Sequence, residues 1–235
     1  AGEHIEGNYL NFYNYINVLA STLSDFDLLD NALRAYSWAM EVSEECFGKN
    51  SEIFLISIVN KALCLNKMWE VNKALDLYLL AYEKMKGLEL NQKVIKTISI
   101  GLADTYFLLG HTKKSLSIYS KLQVYKNADN SVVSSNLDIN KGLSNCFHEL
   151  YEYERELECR EYILDVCKND NSIDGENTSE AYLFLARCLM KLGKYEDSLK
   201  ILEVYSSQGR SEVSFDELSM FNELMIEIYE KQGKT

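Results

Sequence analysis

The even spacing of one pattern limits what this chain can fold into more than any other feature. Ala20, Ala62, Ala103, Ser144, Ala186 and Ile226 occupy matching points in six amphipathic stretches, at intervals of 42, 41, 41, 42 and 40 residues. A helical bundle of unrelated segments has no reason to repeat so evenly. Residues 179–205, SEAYLFLARCLMKLGKYEDSLKILEVY, show the pattern most clearly. Tyr182, Leu185, Ala186 and Leu189 recur at i, i+3, i+4 and i+7, which puts one apolar stripe on one helix face. Gly193 then ends the helix, because a residue without Cβ accepts the left-handed conformation of a C-cap. Tyr195, Ser198, Leu199 and Leu202 restart the pattern for a second helix. One such hairpin cannot cover its own apolar faces, so copies have to stack.

Taken in order, residues 1–9 are polar and predicted to fray, and residues 10–233 are predicted to form a single domain. Repeats are expected to start near residues 13, 55, 96, 137 and 179, with a half repeat near 219. In the first unit Ile16, Leu19, Ala20 and Leu23 face Leu29, Ala32, Tyr36, Ala39 and Met40. The second pairs Ile58, Ala62 and Leu65 with Val71, Ala74, Tyr78 and Ala81, although Lys61 stands where Leu would suit better. The third has Leu102, Ala103 and Tyr106, then Ser115, Tyr119 and Leu122. The fourth has Leu143, Ser144 and Phe147, then Tyr153 and Leu157. In its second helix Glu156 and Arg160 stand where a small residue and an aromatic are expected, which predicts a shifted register or a tilt. Breaks are expected at 48–50, 87–91, 127–131 and 168–176. A last helix runs through Leu218, Phe221, Met225 and Tyr229, as a cap or as half of a further repeat.

Composition narrows the function classes. The 235 residues include no proline, which suits long helices better than a turn-rich β fold. The net charge of −12 opposes binding to a phosphate backbone, which needs clustered Lys and Arg. Guanidinium comes only from Arg34, Arg155, Arg160, Arg187 and Arg210. The six cysteines form no C-x-x-C pair and fall mostly inside helical patterns, so they are expected to be buried free thiols of a cytoplasmic protein. No stretch has the look of a signal peptide or a membrane span. The Ala-Gly start reads as that of an excised piece of a longer protein.

The order aromatic, Leu, Ala, then Leu192-Gly193-Lys194-Tyr195, resembles the tetratricopeptide helix-turn-helix repeat. So does the small-aromatic-small order of Ala32, Tyr36 and Ala39. The usual period of that repeat is about 34 residues. The longer period here is similar to those of kinesin light chains, spindle-orientation adaptors and bacterial receptors for signalling peptides. The resemblance implies an all-α right-handed solenoid of about five hairpins plus the C-terminal half-repeat or capping helix. It also implies a concave groove lined by the first helix of each repeat.

On that geometry, the residue after each central small residue faces the groove, with those four before and three after it. The positions expected to grip a partner are Asn17 and Ser21, then Asn66, then Asp104 and Phe107. Lys141, Asn145 and His148 follow, then Leu183, Arg187 and Met190. Val59, Leu63 and Ile100 fall on the same face, as do Glu223, Glu227 and Glu230 of the half repeat. Asp104, Asn145 and Arg187 would form a polar ladder, flanked by Phe107, Leu183 and Met190 as apolar pockets. Polar grips beside apolar pockets suit a peptide or an extended segment of another protein.

Other motifs carry less. Asp170 to Gly175 resembles the first half of a calcium loop, but Ala181 stands where its closing Glu is required. His4, His111 and His148 have no metal-ligand spacing. The carboxylates from Glu149 to Asp165 are spread around a helix and read as a solvated face. No phosphate-cradling loop or nucleophile motif is present. The expectation is therefore a non-enzymatic interaction scaffold without cofactor or metal, whose partner is a protein or peptide and neither nucleic acid nor membrane. Self-association is left open. The alternative is the ligand-sensing domain of a bacterial peptide-responsive regulator whose DNA-binding domain lies outside this stretch.

Overall fold

A computed structural model describes residues 2–124, 133–170, 173, 175–207 and 214–233. Among these residues there are eleven helices and no strand. They are α1 (Gly2–Asp25), α2 (Leu29–Phe47), α3 (Glu52–Lys67), α4 (Val71–Met85), α5 (Gln92–Leu108) and α6 (Thr112–Val124). After these come α7 (Val133–Glu149), α8 (Tyr153–Asn169), α9 (Gly175–Lys191), α10 (Tyr195–Ser207) and α11 (Phe215–Lys231). Odd-numbered helices pair with the even-numbered helix that follows, and each hairpin packs on the next within its unit. This is the helical-hairpin solenoid expected from the spacing. The break expected at 127–131 lies outside the described residues.

The helix ends follow from local chemistry. Ser51 caps α3 by accepting the Phe54 amide at 3.1 Å, and Asn91 caps α5 by accepting that of Lys93 at 2.9 Å. Ser214 and Glu217 form a reciprocal capping box at the start of α11. α1 begins at Gly2 and not near residue 9, since a helix already packed over Tyr13, Ile16 and Ala20 extends backwards at little cost.

The turn inside each hairpin is the same motif every time. Asp27, Trp69, Gly110, Tyr151, Gly193 and Gly233 all have left-handed φ, between 59° and 74°. Their spacing repeats that of the central small residues. At each of the first five, the next residue's N–H reaches back five residues to a carbonyl, as in Leu28 to Leu23 (2.9 Å) and Glu70 to Leu65 (2.9 Å). The left-handed residue's own N–H reaches the carbonyl three residues back, as in Asp27 to Ser24 (3.2 Å), and the two bonds together close a Schellman motif that satisfies carbonyls the helix end would otherwise leave orphaned.

The chain divides into two compact units, residues 1–122 and 123–235. In the first, Tyr13, Ile16 and Ala20 of α1 meet Ala32, Tyr36 and Ala39 of α2. A larger cluster there joins Ile58, Ala62 and Leu65 of α3 with Ala74 and Tyr78 of α4 and Ile98 and Leu102 of α5. Gly101 admits the Tyr78 ring against its backbone, because a Cβ at that position would stand 2.3 Å from the ring edge. In the second unit, Ile163 and Leu164 of α8 pack with Tyr182, Leu185 and Leu189 of α9, and α10 and α11 extend that core.

Four of the five second helices present a small residue and, four positions on, a large one: Ala32 and Tyr36, Ala74 and Tyr78, Ser115 and Tyr119, Ser198 and Leu202. All are buried. In α8 the same two places hold Glu156 and Arg160, also buried. The expected register shift does not occur. The helix stays in register and takes an ion pair into the core.

Candidate functional site

In the first unit the predicted partner-binding positions serve partly as braces between successive first helices. Asn17 of α1 accepts a hydrogen bond from Asn60 of α3 at 3.0 Å and donates to the Tyr13 carbonyl. Asn66 of α3 donates to the Thr105 hydroxyl of α5 at 2.8 Å. Lys67 donates to Ser24 at 2.9 Å. Ser21 and Asp104 are exposed and Phe107 is half-buried. Asp104 also accepts the hydroxyl proton of Tyr119, which ties it to α6. A cavity of about 320 Å³ opens between the first halves of α3 and α5. Ile56, Val59, Val94 and Ile98 give it apolar walls, with Asn60 and Thr97 as polar contacts.

In the second unit the structure brings four predicted positions around the α8 ion pair. Glu156 is fully buried and accepts from Arg160 Nε at 3.2 Å. Its other oxygen accepts from Nδ1–H of His148 at 2.9 Å. Arg160 uses Nη2 to donate to Asn145 Oδ1 at 2.9 Å. Two charges taken out of water are tolerable only when their remaining polar atoms are matched, and His148 and Asn145 from α7 do that. Lys141, one turn before Asn145, donates to Asn177 of α9 at 2.6 Å.

Arg187 completes the group. Its guanidinium and that of Arg160 each lie 4.7 Å from the centroid of the Phe184 ring. Burial pushes both guanidinium groups below their ordinary pKa range, and the charge of Glu156 works against that shift. The Nε of Arg187 is buried with no hydrogen-bond partner among the described residues. A cavity of about 240 Å³ adjoins this cluster, lined by Lys141, Asn145, Arg160, Asn177, Glu180 and Phe184. The arrangement offers donors and cationic groups over an aromatic floor, which suits acceptor or anionic groups of a partner.

Leu183 and Met190 do not flank this cluster as apolar pockets. Both are buried against Leu224 and Ile228 of α11, because that helix covers their side of α9. Glu227 on α11 accepts from Lys191 of α9 at 3.5 Å. The repeat pattern does not single out Phe184, and it gives Glu156 and Arg160 no role. The mismatch of those two with the small and aromatic residues of the other repeats is the sequence signal that points to their part in this site.

Among the described residues there is no group of His, Cys, Asp and Glu arranged to hold a metal ion. No described helix is long and apolar enough to cross a membrane. Of the suspected calcium loop, Asn171, Ser172 and Asp174 lie outside the described residues.

No protein-family model matches the sequence. No curated protein matches it either. Solved structures do. A putative kinesin light chain from Podosopora anserina with nearly identical TPR-like repeats aligns at a TM-score of 0.69 and 14% identity, over 85% of this chain and 97% of that one. BtubC from P. vanneervenii aligns at 0.71 and 17%, over 85% and 84%. A thermophilic TPR protein of Thermus thermophilus aligns at 0.64 and 13%, over 91% and 99%. At these identities the likeness is one of fold, and the fold is the tetratricopeptide-like helical solenoid.

Proposed function

We propose that the chain is a non-enzymatic interaction scaffold that holds a protein segment or peptide on the faces of its first helices. The single observation that carries this is Arg187. It is a half-buried cation stacked on Phe184, with a buried Nε that nothing described in the chain satisfies. A buried donor left unpaired carries a free-energy penalty. An acceptor on a bound segment that draws the guanidinium outward would remove that penalty, which gives binding a driving force at this position. Lys141 and Asn145 line the cavity that reaches Phe184 and Arg160, and would orient the segment. In the first unit Asp104, Phe107 and Ser21 lie on the corresponding face, with Asn17 and Asn66 holding neighbouring helices in place.

The test is selection of a short-peptide library on the whole chain, followed by affinity measurements with Arg187→Met. Methionine keeps contact with Phe184 and removes the charge. A lost charge-assisted hydrogen bond of about 1.5–3 kcal/mol corresponds to roughly 10- to 150-fold weaker binding. The melting temperature should hold steady, because the variant also removes an unsatisfied buried donor. An unchanged affinity for the selected peptide would reject this site.

A further inference from the structure

We propose that the solvent-facing side of the first hairpin is a self-association surface, on which α1 and Trp38 of one copy pack against the same residues of a second copy. This is independent of the site around Arg187. Tyr13, Ile16 and Ala20 turn one side of α1 into the core. On another side Phe12, Tyr15, Leu19 and Phe26 follow one another at helical spacing, with Val18 next to them, and all five are exposed. Trp38 of α2 continues the patch, edge-on to Phe12 with ring centroids 5.2 Å apart.

The size of the patch is what selects a macromolecular occupant. Phe12, Tyr15, Phe26 and Trp38 are 42%, 70%, 75% and 49% exposed. At roughly 200 Å² for a whole aromatic side chain, these four leave about 450 Å² of ring surface in water. Val18 and Leu19 bring the patch to roughly 650 Å², above the few hundred that a lone soluble domain leaves uncovered. Two copies face to face would bury about 1,300 Å², inside the range of stable specific interfaces.

Charge favours a second copy as that occupant. The chain carries a net charge of −12, so two molecules repel over most of their surfaces. Residues 7–24 of α1 contain no charged residue at all. Between Glu6 and Asp25 of this helix, like meets like without repulsion. On α2, Arg34 and Glu41 lie on either side of Trp38, one turn before and nearly one after. An antiparallel pairing about a two-fold axis sets Arg34 of one copy opposite Glu41 of the other. The other terminal helix makes the contrast. On α11, Phe215, Leu218, Ile226 and Tyr229 are exposed too, but Asp216, Glu223, Glu227 and Glu230 share that helix, which works against self-pairing.

The experiment is sedimentation equilibrium of the whole chain up to roughly 100 µM, with Tyr15→Glu and Val18→Glu as test variants and Ile226→Glu as control. All three positions are exposed, and circular dichroism checks that the variants stay helical. The expected result is a reversible dimer whose dissociation constant rises at least tenfold in both α1 variants and stays put in Ile226→Glu. A monomer throughout would overturn the proposal. So would a dimer that both α1 variants leave intact, since the contact then lies elsewhere. Loss of assembly in the α1 variants and in Ile226→Glu alike would indicate a head-to-tail contact and would overturn the two-fold pairing.

Discussion

Glu156 and Arg160 show how two residues can replace an apolar contact and keep the packing of a repeat. The other second helices use a small residue and a large one at these places, as with Ala74 and Tyr78. Here the same volume is filled by a carboxylate and a guanidinium that satisfy each other and two α7 side chains. Removing one partner leaves a buried charge without a counter-ion. Glu156→Ala is therefore expected to cost about 3–5 kcal/mol of stability. The double change Glu156→Ala with Arg160→Tyr restores the pattern of the other repeats and is expected to be at least as stable as the natural protein, since apolar replacement of a buried pair gains roughly 0–4 kcal/mol. Denaturant midpoints of the single and double variants measure both, and a double variant as unstable as the single would show that the pair has no apolar substitute here.

At the scale of the element, the inter-helix turn is the recurring part. Every hairpin needs one left-handed residue, and glycine supplies it without strain at Gly110 and Gly193. Trp69 and Tyr151 take the same conformation with a Cβ present, at φ 61° and 60°. Both are more than three-quarters exposed, so little packing compensates. Trp69→Gly is expected to raise stability by about 1 kcal/mol, the size of the left-handed penalty less the extra chain entropy of glycine. Thermal denaturation measures it, and a fall in melting temperature would mean that the indole contributes contacts that outweigh the strain. These turns also mark the limit of what the sequence discloses. The period, the apolar stripes and the glycine turns can be read directly, because burial and glycine leave a local signature. Trp69 and Tyr151 carry no turn signature, and their conformation is imposed by the helices on either side. Likewise Arg187, Asn145 and His148 can be placed on the right helix face from spacing alone. Which of them are occupied by Glu156 and Arg160 depends on α8, whose two charges look like a register fault until it is folded.

Across the whole molecule, burial also sets the response to pH. Burial raises the Cys159 thiol from 9.0 to about 11 and the Cys188 thiol from 9.0 to about 12. It raises the Tyr13 hydroxyl from 10.0 to about 12. In each case the fold favours the neutral, protonated form. Their contribution is complete below pH 9 and is lost as pH climbs from 9 towards 12, while the unfolded chain releases its protons first. The melting temperature should fall across that window, with a shallower fall in Cys188→Ala. Equal slopes in the two proteins would exclude Cys188 as a source.

The aromatic residues have one further consequence, and it is optical. The chain has two tryptophans, Trp38 and Trp69, and both belong to residues 1–122. Emission excited at the indole band therefore reports on the first unit alone, while far-ultraviolet ellipticity counts the helices of both. Any difference between the two denaturation curves measures the second unit without a label being attached to it.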